Sequence, residues 1–126
     1  MKVVATEKAP AAVGPYSQGI VSGALVFVSG QLGVDNSGRL GEGMIDQTEL
    51  AIDHLREILG EAGCILADVV KTTCYLAKGA DLALFNEIYG KYFIGKPARS
   101  LVITESLPKG SLVEIEAIAE RKEEKE

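Results

Sequence analysis

The stretch that most constrains this chain is Leu112-Val113-Glu114-Ile115-Glu116-Ala117-Ile118-Ala119, where charge and hydrocarbon alternate with a period of two. Successive side chains of a strand point to opposite faces of a sheet. Val113, Ile115, Ala117 and Ala119 therefore line one face, and Leu112, Glu114, Glu116, Ile118 and Glu120 line the other. The first face is core. The second carries carboxylates one strand repeat apart, about 6.5–7 Å, and is either a solvated surface or the wall of a polar site. Upstream, Lys96-Pro97-Ala98-Arg99-Ser100-Leu101-Val102 puts an arginine at the start of a second apolar, strand-like run. A guanidinium and carboxylates are thus carried on two strands that can pair.

The rest of the chain supplies partners for these strands. Val3-Val4-Ala5 reads as a short strand, followed by a loop through Pro10, Gly14 and Pro15 that carries Tyr16. Gly19 to Val21 and Ala24 to Ser29 read as a hairpin about Ser22-Gly23, the second strand ending at Ser29-Gly30-Gln31. Asp46 with Glu49 forms a capping box and Ile45 with Leu50 a hydrophobic staple, predicting a helix from Asp46 that Gly63 closes. Val69 to Leu76 is rich in valine and threonine and reads as a strand. Asp81 caps a second helix to about Phe93, with Leu82, Phe85, Tyr89 and Tyr92 as its apolar stripe, and Lys96-Pro97 ends it.

This order, β, β, β, α, β, α, β, β, predicts an α+β fold in which one sheet carries both helices on one face. The open face also bears apolar side chains, Leu112, Ile118 and Leu101, and an uncovered patch of that kind predicts an oligomer. The 126 residues suit one domain, able to bury about two thirds of its unfolded surface without disulfide or metal. The charged stretch 121–126 reads as a frayed tail.

Composition excludes more than it selects. A net charge of -5 opposes general attraction to nucleic acid, which rests on neutralising phosphates. Cys64 and Cys74 read as reduced thiols of a cytoplasmic protein, since no secretory leader is recognisable and no apolar run is long enough to span a membrane. The single histidine, His54, reads as a helix-surface or rim residue, leaving neither a metal-ligand cluster nor a nucleophilic triad. Gly38, Gly41 and Gly43 fit no phosphate-binding loop.

What remains is Arg99, Tyr16, Ser29-Gly30 and Glu114 or Glu116. An arginine offers a planar bidentate fork for a carboxylate, a glycine N–H adds a donor, and a glutamate can hold and polarise a water. The set suits a small carboxylic acid reacting with water. Equally, Arg99 and Glu114 can be a structural ion pair.

Five stretches together carry a resemblance. Gly14-Pro15-Tyr16-Ser17-Gln18, Phe27-Val28-Ser29-Gly30-Gln31, Phe85-Asn86-Glu87-Ile88-Tyr89, Pro97-Ala98-Arg99-Ser100 and Leu107-Pro108-Lys109-Gly110-Ser111-Leu112-Val113-Glu114-Ile115-Glu116-Ala117 resemble, in order and spacing, the RidA family, also called YjgF/YER057c/UK114. The resemblance implies a chorismate-mutase-like α+β fold, a homotrimer with clefts between subunits, and an imine deaminase that hydrolyses 2-aminoacrylate-type intermediates released by pyridoxal-phosphate enzymes. The products are a 2-keto acid and ammonia, and no metal, flavin or nucleotide is required.

By that similarity Arg99 grips the substrate carboxylate, Glu114 holds the attacking water and Tyr16 lines the cleft. Ser29 and Gly30 provide a strand end with a backbone donor, and Asn86 lies near the site. Many members carry a cysteine two residues after the arginine, where this chain has Leu101. The resemblance therefore implies a more apolar cleft there, without thiol chemistry, and leaves substrate preference open. A 2-keto acid-binding module without turnover and an endoribonuclease or translation inhibitor are the competing functions.

Overall fold

Six strands, β1 (Lys2–Val4), β2 (Gly19–Ser22), β3 (Leu25–Leu32), β4 (Val69–Ala77), β5 (Ala98–Thr104) and β6 (Val113–Glu120), and two helices, α1 (Gly43–Glu61) and α2 (Leu82–Tyr92), organise the chain. The structure is a computed structural model and describes residues 1–122. All six strands join one sheet in the order β1-β2-β3-β6-β4-β5. Neighbours are antiparallel except β4 and β5, which run parallel and are connected through α2. This is the α+β architecture that the sequence predicts, a mixed sheet with two helices on one face.

The alternation in β6 works as expected. Val113, Ile115, Ala117 and Ala119 are buried against Ala51, Ile52, Leu55, Ile58 and Leu59 of α1, while Glu114, Glu116 and Ile118 are half-buried on the open face. In α2 the Asp81 side chain accepts from the Leu84 N–H at 3.0 Å, the expected N-cap. Its buried stripe is Phe85, Ile88 and Tyr89, whereas Leu82 is exposed in the first turn, ahead of the point where the helix meets the core.

Several expectations change. The strands carrying Arg99 and Glu114 do not pair, because β4 inserts between β5 and β6. Leu101 lies opposite Cys74 and packs on the core, so it belongs to the helix face and not to the open one. Helix α1 begins at Gly43 and not at Asp46. Gly43, at φ 81°, turns the chain into the helix, leaving Asp46 inside the first turn, where its charge favours the positive helix end without capping it. Gln47 anchors this start, donating to the Gly41 carbonyl at 3.0 Å and accepting from the Leu112 N–H at 2.7 Å. Glu49, free of any capping box, instead accepts from the Tyr92 hydroxyl at 3.1 Å and ties the helices together.

His54 is buried, not on the surface, with Nε2 2.6 Å from the Val34 carbonyl, because the chain leaving β3 folds over that side of α1. Arg121 is held rather than frayed, its backbone N–H bonded to the Ala24 carbonyl and its guanidinium to the Gly23 carbonyl. Residues 123–126 of the expected tail lie outside the described residues.

Candidate active site

On the open face a β-bulge decides the geometry. The pairing of β3 with β6 shifts register between Val28 and Gln31, so Ser29 and Gly30 leave the regular ladder beside Glu114. The Ser29 hydroxyl donates to the Ser17 carbonyl at 2.5 Å and its N–H to the Gln18 carbonyl, pinning the Tyr16 loop over the bulge. The absence of a side chain at position 30 is essential, since a Cβ built there would fall on the Glu114 carboxylate oxygen Oε2. A cavity of about 560 Å³ results, walled by Tyr16, Ser29, Gly30, Lys109, Glu114 and Glu116.

Burial pushes the Glu114 carboxyl above the ordinary carboxylate range, and the neighbouring charge of Glu116 pushes it further the same way. Tyr75, directly opposite Glu114 on β4, donates its hydroxyl to Glu116 Oε1 at 3.1 Å. A larger cavity, about 720 Å³, lies by β1 and the loop before Tyr16. Its walls are mainly small apolar side chains and it reaches neither Glu114 nor Arg99, so it lacks the groups that the chemistry needs.

Arg99 lies elsewhere. On edge strand β5 it stands opposite Thr72, on the helix face, and donates Nη1–H to Asn86 Oδ1 at 2.9 Å. Its guanidinium sits 5.0 Å from the Tyr89 ring centroid and 5.9 Å from that of Phe85, a cation–π shelf. The shelf is fixed from below by a 2.7 Å hydrogen bond between the Tyr89 and Thr72 hydroxyls. Arg99 and Glu114 therefore occupy opposite faces of one chain and form no ion pair. Among the described residues the ion pairs are Asp53 with Arg56 and Lys78 with Glu105.

The structure thus assembles the expected residues as two groups. Tyr16, Ser29, Gly30 and Glu114 meet around the cavity, while Arg99 and Asn86 meet at the sheet edge, with Leu101 two residues along on the same face as Arg99. The sequence reading missed Tyr75 and the aromatic shelf. The strand period that places Glu114 on the open face also places Tyr75 there, given the register of β4. Neither thiol is poised for nucleophilic chemistry. Burial pushes Cys74 up to about 11, and it raises Cys64 as well. No group of residues able to hold a metal ion is found among the described residues, and no described helix is long and apolar enough to cross a membrane.

A model of the family described as Endoribonuclease L-PSP matches residues 6–121. The chain belongs to that family. The mouse member named 2-iminobutanoate/2-iminopropanoate deaminase is 49% identical over 121 residues, 94% of this chain and 90% of that protein. Among solved structures, RidA from an Antarctic Psychrobacter matches with a TM-score of 0.90 at 41% identity, over 95% of this chain and 99% of its own. E. coli TdcF with bound serine matches with a TM-score of 0.92 at 37% identity, over 97% and 100% of the two chains. The resemblance to RidA read from five stretches of sequence is thereby a membership, and the fold is that of the Endoribonuclease L-PSP family.

Proposed function

We propose that this protein is a 2-iminobutanoate/2-iminopropanoate deaminase, working at sites shared between the subunits of a homotrimer. The carrying observation is Glu114, a half-buried carboxylate with no cationic partner among the described residues, raised in basicity and facing a cavity that Gly30 keeps open. In the reaction a 2-imino acid and water give a 2-keto acid and ammonia. An imine is already electrophilic, so it needs orientation and a polarised water more than a strong nucleophile. Two N–H groups of Arg99 hold the substrate carboxylate, an orientation effect that contributes several kcal/mol, roughly. Glu114 takes a proton from water as the oxygen bonds to the protonated imine's carbon, passes it to the nitrogen of the resulting amino alcohol, and takes the remaining hydroxyl proton as the C–N bond breaks, giving the keto carbonyl and ammonia. Asn86 and the aromatic shelf keep the Arg99 fork flat, Tyr16 covers the cavity and Leu101 supplies an apolar wall.

The separation of the two groups supports sites shared between subunits. No small acid spans from the helix face at the edge of a sheet to its open face, so a neighbouring copy supplies the missing half. Phe27, Leu25 and Val102, all exposed on the open face, favour cover by another copy. The names of the mouse relative and of the serine-bound TdcF support a small carboxylate-bearing substrate. Two reduced thiols suit a cytoplasmic protein. Ribonuclease action is disfavoured because the cavity presents two carboxylates to any phosphate and the net charge is -5.

The test is to generate 2-aminoacrylate in place with a pyridoxal-phosphate dehydratase and follow keto acid release. Faster release in proportion to added protein is expected. Binding of 2-keto acids with no acceleration would leave a binding module instead. Gly30→Ala gives a finer check. The added Cβ displaces the Glu114 carboxylate, so turnover should fall by about 10²-fold, the scale of a misplaced catalytic group, while circular dichroism shows the protein folded.

A further inference from the structure

Glu114 and Glu116 of β6 keep different company. Glu116 is tied down, its Oε1 accepting from the Tyr75 hydroxyl at 3.1 Å. For Glu114, among the described residues, no side chain supplies a hydrogen bond or an ion pair. Both carboxylates line the same cavity, one strand repeat apart. The charged and titratable groups facing them are few. They are Tyr75 and Lys71 from β4, Lys109 from the Pro108–Gly110 turn and Tyr16 from the loop, while β3 presents Ser29, Gly30 and Leu32. Neither lysine comes within ion-pair distance of Glu114 or Glu116.

We propose that Glu116, held in place by the Tyr75 hydroxyl, is a positioning residue that sets the basicity of Glu114, one carboxylate fixed as a charge and the other left to carry the proton. A like charge one strand repeat away disfavours the ionised form of Glu114 and makes it a better proton acceptor. The burial of Glu114 and the charge of Glu116 act in this same direction. Tyr75 makes the effect dependable, because a carboxylate bonded to a phenol cannot swing out to solvent and lose its influence. The phenol answers in kind, its own ionisation pushed to higher pH by burial first and by Glu116 and Glu114 after. For its consequence in turnover this rests on the deaminase reading. The ionisation of Glu114 itself does not.

The sign is definite. Glu114 must be ionised to accept a proton from water, so turnover falls as pH drops through its midpoint. Glu116→Gln keeps the shape and the bond to Tyr75 but removes the charge. The Glu114 midpoint then moves to lower pH, the acid limb of kcat/KM moves with it, and turnover above that limb falls by about threefold as the base weakens. Tyr75→Phe frees Glu116 to turn away and gives a smaller shift in the same direction. The side-chain carboxyl carbon of Glu114, followed by NMR across pH in the full chain, reads the midpoint directly. A Glu114 midpoint unchanged in Glu116→Gln overturns the proposal, as does lost activity with an unmoved acid limb. A midpoint that shifts in a protein without imine turnover supports the coupling and overturns the deaminase reading.

Discussion

Arg99→Ala is expected to abolish binding of 2-keto acids and imine turnover together. Each hydrogen bond to a charged group is worth about 1.5–3 kcal/mol, so loss of a bidentate clamp weakens carboxylate binding on the order of 10²–10⁴-fold. Arg99→Lys should not rescue. A lysine ammonium is a point charge without the planar fork, and it cannot lie over the Tyr89 ring while keeping two parallel donors for a ligand. The fold should survive both changes, because Arg99 is exposed on edge strand β5 and makes no ion pair among the described residues. Titration calorimetry with a 2-keto acid and a melting curve on the same preparations check this. A folded Arg99→Ala protein with full binding and turnover would remove the clamp from the mechanism.

Glu114→Gln should separate what Arg99→Ala loses together. The amide keeps the shape above Gly30 but cannot accept a proton, so ligand binding persists while imine hydrolysis falls by about 10²–10⁴-fold, the size of a general acid–base contribution. Stability should hold or rise slightly, since a half-buried charge with no ion-pair partner among the described residues is replaced by a neutral group. Measuring keto acid binding, turnover and melting on one preparation checks all three. Turnover that persists undiminished in this variant would mean that Glu114 is not the base.

How much of this could be read in the residues follows from which forces are local. The faces of β6, the Asp81 cap of α2 and the closing Gly63 each depend on a few neighbouring residues, and each was legible. The start of α1 was not, because Gln47 is held by the N–H of Leu112, 65 positions away, which no capping pattern encodes. Strand order is likewise non-local. Arg99 and Glu114 lie close enough in sequence to suggest a hairpin, yet the parallel pairing of β4 with β5 through α2 puts β4 between them. That same register turns Leu101 toward Cys74 and the core. The candidate residues could be named from the sequence, but their division between two faces of the sheet could not. The Tyr75–Glu116 bond joins positions 41 apart and depends on the register of β4 against β6.

The division of the site leads to the most direct test of its being shared between subunits. Arg99→Ala and Glu114→Gln chains, each nearly inactive alone, are denatured, mixed in equal amounts and allowed to assemble. In a closed ring of three, every mixed trimer has one boundary where an intact Arg99 meets an intact Glu114. Random assembly makes about three quarters of the trimers mixed, so about one quarter of all sites are whole. Imine turnover should therefore recover to about a quarter of the wild-type rate, for the same reason. If trimers shown by native mass spectrometry to be mixed remain as inactive as either variant alone, Arg99 and Glu114 do not meet across subunits, and the shared site is wrong.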